Sequence, residues 1–99
     1  MQVPPSDPEA WQRLDVWLWH ARLARTRGLC IKLVSGGAVR LNRQPTDKPH
    51  ARVRPGDVLT LALGSGERGV VRVLKIVALS ERRGPAPEAL LLYEELGAP

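Results

Sequence analysis

Gly36-Gly37, set between an apolar helical repeat and an alternating segment, limits the possible folds of this chain more than any other feature. Upstream, Leu29, Cys30, Leu33 and Val34 recur at the spacing of one helix face, with Thr26 as the expected N-cap. Downstream, Val39 and Leu41 alternate with Arg40 and Asn42, the period of a half-buried strand. Glycine enters the left-handed conformation that closes a helix without a Cβ clash, so the pair reads as a helix stop. Ahead of that helix, Leu14, Leu18 and Ala21, flanked by Trp17 and Ala24, give another inward stripe. Asp15 is expected to cap this first helix on the amides of residues 17 and 18. A connection of two or three residues should then fold the two helices back on one another.

The rest of the chain reads as strands. Asn42-Arg43 sits where a tight hairpin turn is expected, although glycine is more comfortable than arginine at its second position. Arg52-Val53-Arg54 leads into Pro55-Gly56-Asp57, a turn signal. Val58 to Leu63 should be a strand with Leu59, Leu61 and Leu63 inward. Gly64-Ser65-Gly66 should reverse it, and residues 69–77 should form its partner. Glu81 to Pro87 is an irregular basic loop, and residues 88–96 read as a short amphipathic helix or an extended cover. The expected class is α+β: two short antiparallel helices packed on a small, mostly antiparallel sheet, with a C-terminal cover segment. Residues 1–12, rich in proline, are expected to be a flexible tail, leaving 13–96 as one domain. A chain of 99 residues supports a single core.

Charge is distributed unevenly along this plan. Residues 13–54 hold ten Arg/Lys and two acids, Asp15 and Asp47, whereas residues 55–99 hold five Arg/Lys and six acids. The overall formal charge of +5 is therefore concentrated on the helix–helix–strand unit. A basic surface confined to one unit makes a nucleic-acid phosphate backbone the leading candidate partner. The opening residues have neither a basic n-region nor an apolar run, and no stretch of about 18 apolar residues occurs, so neither a secretory signal nor a membrane span is expected. With one cysteine, Cys30, there is no intramolecular disulfide framework, and a cytoplasmic location is the expectation.

Catalysis is not expected. Cys30 lies on an inward helical stripe with neither histidine near it in sequence, which reads as a small buried hydrophobe. His20 and His50 lack the spacing of metal-ligand pairs, so no metal or cofactor is assigned. Trp17 is expected in the core, and Trp19 either stacks on an exposed base or covers another part of the domain. The arginines carry more weight. Arg22, Arg25, Arg27, Lys32 and Arg40 have only Asp15 nearby in sequence, whereas helices built for solubility alternate sign. Thr26 and Arg27 also open a helix, where amides and the dipole favour a phosphate.

The segments RLDVWLW, RLARTR and LV-x-GG-x-V, with the strand ending in Leu41-Asn42, resemble the αL RNA-binding domain of the ribosomal protein S-four type. Lys48-Pro49, the TLAL strand and ERRGPAPEALLLYEE narrow the resemblance to the heat-shock protein fifteen subfamily. It implies two helices on a small sheet, with RNA against the second helix and the adjoining strand. The positions that match are Arg13, Arg22, Arg25, Thr26, Arg27, Arg40, Asn42 and Lys48. Arg22, Arg25 and Arg27 would contact phosphates, and Thr26 would cap the helix that presents them. Lys32 stands beside Ile31, where the family carries its mid-helix basic residue, and Val16 replaces a familiar lysine.

The resemblance further implies a non-catalytic protein of the large ribosomal subunit, engaged with subunits that still carry peptidyl-transfer RNA and helping to rescue or recycle them. Three alternatives stay open: a generic structured-RNA binder or RNA chaperone, an accessory subunit of an RNA-modifying enzyme, and DNA binding through phosphate contacts alone.

Overall fold

The computed structural model describes residues 10–64 and 69–97. The first nine residues of the expected tail and the Ser65-Gly66 tip therefore lie outside the described residues. In chain order the elements are β1 (Gln12–Arg13), α1 (Leu14–His20), α2 (Arg27–Ser35), β2 (Val39–Leu41), β3 (Gln44–Thr46), β4 (Arg52–Val53), β5 (Val58–Leu63), β6 (Val70–Ile76), α3 (Ala86–Ala89), a 3-10 turn (Leu90–Leu92) and β7 (Tyr93–Glu95). Five strands form an antiparallel sheet in the order β3-β2-β5-β6-β7, while β1 and β4 form a separate two-stranded ribbon. The α+β class and the C-terminal cover agree with the sequence reading. The cover is a helical turn followed by an edge strand, so both of its expected forms occur.

Alternation places Val39, Leu59, Leu61, Leu74 and Ile76 on the sheet's inner face, all fully buried. Against them pack Leu14, Trp17 and Leu18 of α1 and Cys30 and Val34 of α2. Trp17 is wholly buried, and its indole N–H donates to the Ala78 carbonyl at 3.0 Å. That bond satisfies the one polar atom of the largest core side chain and ties α1 to the chain leaving β6. Leu29, expected on the buried face, is exposed. The stripe of α2 is carried by Cys30 and Val34 four residues apart, with Leu29 and Leu33 at its margin.

Asp15 does not cap α1. The helix begins one residue earlier, and its first amides, of Leu14 and Asp15, donate to the carbonyls of Ala51 (2.8 Å) and Pro49 (3.0 Å). The β1–β4 pairing carries that loop across the helix start, so backbone carbonyls take the place of a capping side chain. Pairing also begins one residue before the boundary read from the sequence, with Gln12 opposite Val53. The connection between the helices spans residues 21–26, longer than expected. Its cause is a helix stop built on a residue other than glycine. Arg22 has φ +59, its amide donates to Trp19 O, and the Leu23 amide donates to Leu18 O. α2 closes by the same bond pattern with Gly37 at φ +82, as Gly36-Gly37 foretold. Thr26 caps α2, its Oγ1 accepting from the Leu29 amide at 3.1 Å.

His20 is buried at the end of α1 and its Nδ1–H donates to the Ser80 carbonyl at 2.8 Å. Loss of solvation holds its pKa below the ordinary 6.5, the Ser80 bond opposing and the nearby Arg27 charge assisting. The folded state therefore favours neutral imidazole, and the unfolded chain binds the proton more readily. Stability is complete above the unfolded pKa and declines as pH falls through the folded one. Thermal unfolding between about pH 7.5 and 5 should show this decline, and His20→Asn, which keeps a donor for Ser80, should flatten it.

Candidate nucleic-acid interface

A charge inside the domain organises the basic surface. The Asp15 side chain is fully buried. Its Oδ1 accepts from Arg13 Nε at 3.0 Å and from the Val16 amide at 2.9 Å, and its Oδ2 accepts from Arg13 Nη2 at 3.2 Å and Arg27 Nε at 3.4 Å. An isolated carboxylate is too costly to bury, and it persists only when hydrogen-bonded and paired. Here the pairing comes from the end of β1 and from the first residue of α2, so one anion fastens two elements to α1. The two arginine side chains remain 45% and 47% exposed. Asp15 takes two N–H donors of Arg13 and one of Arg27, leaving most of each guanidinium fork for an external acceptor. Such a fork, held in place, suits bidentate contact with phosphate.

The other residues named from the sequence fall into three settings. Lys48 is exposed on the loop whose Pro49 and Ala51 carbonyls cap α1, and Thr26 precedes Arg27; both therefore border the Asp15 cluster. Arg25 and Lys32 are exposed, and neither has an ion-pair partner among the described residues. Arg22 is fastened elsewhere, its Nε donating to the Gly84 carbonyl at 2.7 Å. Arg40 and Asn42 line a groove of about 880 Å³ on the sheet's outer face, with Arg43, Thr60, Val71 and Val73. Asn42 also serves the fold directly. Its Oδ1 accepts from the Val58 amide at 2.9 Å and its Nδ2 donates to Asp57 at 3.1 Å. These bonds hold a two-residue turn in which both Asn42 and Arg43 have positive φ (51° and 72°).

Several cations brace the fold rather than face a partner. Arg83 donates to the carbonyls of Trp19 (3.1 Å) and Ala24 (3.4 Å) and lies 5.8 Å from the Trp19 ring. Trp19 is thus half-buried under the C-terminal loop. Arg82 pairs with Glu88, and Arg72 with Glu95 at 2.6 Å, which draws the Glu95 carboxyl below its usual range. Trp11, Arg52 and Arg54 were not singled out from the sequence, since their alternation with Gln12 and Val53 is too short to mark a strand. Cys30 is buried, and desolvation first, then the Asp15 charge, push its thiol up to about 11. It is therefore protonated at neutral pH and a poor nucleophile. Among the described residues no cluster of three metal-ligating side chains occurs, and no helix is long and apolar enough to cross a membrane.

Residues 12–59 match the model of the S4 domain, the part of the fold that contains the Asp15 cluster, α2 and the first hairpin. The likeness extends past that domain. Heat shock protein 15 of Escherichia coli K12 is 44% identical over 88 residues, which is 89% of this chain and 62% of that protein. A heat shock protein 15 homolog of Aeromonas salmonicida is 43% identical over 94 residues, covering 95% of this chain and 67% of its own length. The trimeric structure of Vibrio cholerae heat shock protein 15 superimposes with a TM-score of 0.76 at 40% identity, over 87% of this chain and 82% of that one. The chain belongs to the heat shock protein 15 family of S4-domain proteins. It spans about 62% of the length of the Escherichia coli relative.

Asp15→Ala should lower stability by about 2 kcal/mol, because it leaves two guanidiniums and the Val16 amide without their acceptor. Arg25→Gln, which removes a cation with no ion-pair partner among the described residues, should leave the unfolding midpoint unchanged. Chemical denaturation of the two variants beside the parent protein tests both expectations.

Proposed function

We propose that this chain is a non-catalytic RNA-binding protein that engages ribosomal RNA of the large ribosomal subunit and acts on stalled subunits carrying peptidyl-transfer RNA. One observation carries the reading: the cations of the helix–helix unit include a pair hydrogen-bonded to buried Asp15 and others that are exposed and, among the described residues, unpaired. Arg25 and Lys32 supply exposed, unpaired charge at and beside α2, and Arg13 and Arg27 supply forks tied to Asp15. Oriented forks set register on a phosphate backbone, while unpaired surface charge adds affinity that salt erodes. Lys48 and Thr26 extend the surface at the cluster's border, and Arg40 extends it onto the sheet. Family membership supports the ribosome as the source of the RNA. A generic structured-RNA binder is the second reading, favoured by the exposed cations Arg25 and Lys32, whose phosphate contacts would carry no sequence information.

Binding to large ribosomal subunits over a salt titration separates the two. The subunit should be tested empty and loaded with peptidyl-transfer RNA, with free transfer RNA as a third ligand. Preference for the loaded subunit at physiological salt is the expected result. Equal binding to all three that fades steeply with salt would reduce the function to generic RNA binding. The double variant Arg25→Glu/Lys32→Glu should lose most of the affinity with an unchanged melting curve. Removing a phosphate contact should flatten the salt slope by roughly 0.7 to 0.9 in log–log terms.

A further inference from the structure

Apart from Arg13, the β1–β4 ribbon presents a surface that the αL resemblance does not use. Its register pairs Gln12 with Val53 and Arg13 with Arg52, which sets Trp11 opposite Arg54. Gln12 is half-buried and Val53 fully buried, so the intervening positions point the other way. Trp11, Arg13, Arg52 and Arg54 therefore share the outward face, and all four are exposed. Among the described residues, this face carries one indole and three guanidiniums and no carboxylate. Asp15 lies beneath it on Arg13, and Asp57 is engaged from the side by the Arg54 backbone amide at 2.9 Å.

Trp11 is 44% exposed, whereas Trp17 is in the core and Trp19 lies under Arg83. The Arg52 guanidinium lies over the Trp11 ring, 4.3 Å from its centroid. A solvent-exposed contact of this kind adds little to stability, and it leaves nearly half of the Trp11 surface open. The same two planes form a platform on which a third flat, electron-rich ring can stack. Guanidinium and indole are the surfaces on which splayed nucleobases rest in single-stranded RNA recognition. Phosphates flanking such a base would meet Arg13 and Arg54.

We propose that this ribbon face is a stacking site for an unpaired RNA base, with Trp11 and Arg52 as the platform and Arg13 and Arg54 as its phosphate contacts. The site rests on the RNA-binding reading above and adds to it a preference for RNA with an unpaired segment. Because Arg13 belongs both to this face and to the Asp15 cluster, the two surfaces are continuous.

The test compares an RNA hairpin with a single-stranded loop against a fully paired duplex of similar length, using the full chain. Trp11→Ala should weaken hairpin binding by roughly tenfold and leave duplex binding and the salt slope unchanged. Trp11→Phe should retain most of the hairpin affinity, and Arg52→Gln should weaken hairpin binding and also flatten the slope. Loop binding should quench the fluorescence of the parent protein more than that of Trp11→Phe. Unchanged hairpin affinity in Trp11→Ala, or equal loss on hairpin and duplex, would overturn the site while leaving the α2 surface standing. A parent protein that binds neither RNA would overturn both.

Discussion

A single buried carboxylate governs how this domain handles its charge. Asp15 has no access to solvent, and the groups that make its burial tolerable are two arginines from different elements and a backbone amide. Because the carboxylate must be satisfied, β1, α1 and the start of α2 cannot shift independently. Because its partners are arginines, the satisfied state also displays two cations at fixed positions on the surface. Lysine would meet the electrostatic need without the planar fork that lets one edge bind inward while the other faces out. The stability of the core and the geometry of the basic surface thus rest on the same contact.

The second half of the chain secures the first. The Trp17 indole reaches Ala78, the His20 ring reaches Ser80, Arg22 reaches Gly84, and Arg83 reaches back to Trp19 and Ala24. All these bonds join α1 and the connection after it to residues 78–84, and those of Arg83 satisfy the backbone carbonyls of Trp19 and Ala24. The long connection between the helices is held by this bracing together with the packing of Ala21, Leu23 and Ala24 on the core. Arg83 is engaged in this bracing and Arg82 pairs with Glu88, so the basic loop contributes little free charge despite its sequence.

Much of the fold was legible because its determinants are local. Gly36-Gly37, Thr26 and the alternation through β2 and β5 each act within a few residues. Leu29 was misplaced because the stripe of α2 narrows to Cys30 and Val34, and Asp15 because its fate depends on distant partners. The loop carbonyls at Pro49 and Ala51 displaced Asp15 from capping, and its inward turn created the ion cluster. Arg22 ends a helix in a conformation that usually calls for glycine, which no propensity scale foretells, since its compensation lies at Gly84. In the candidate site the charges could be read from residue types, but their division into fixed, free and bracing groups could not. Asn42 shows the limit: the turn at Asn42-Arg43 was legible, but the side-chain bonds to Asp57 and Val58 that hold it were not. The β1–β4 ribbon was missed because two-residue strands carry too little periodicity to be read.

The decisive experiment is the RNA affinity of Asp15→Asn at constant ionic strength. The substitution keeps the side chain's shape and raises the net charge by one unit from +5. If the basic surface acted only through its total charge, RNA would bind more tightly. If Asp15 sets the direction of Arg13 and Arg27, binding should weaken several-fold even though the protein has become more positive. Tighter binding by a variant that remains folded would show that the buried carboxylate does not aim the two arginines.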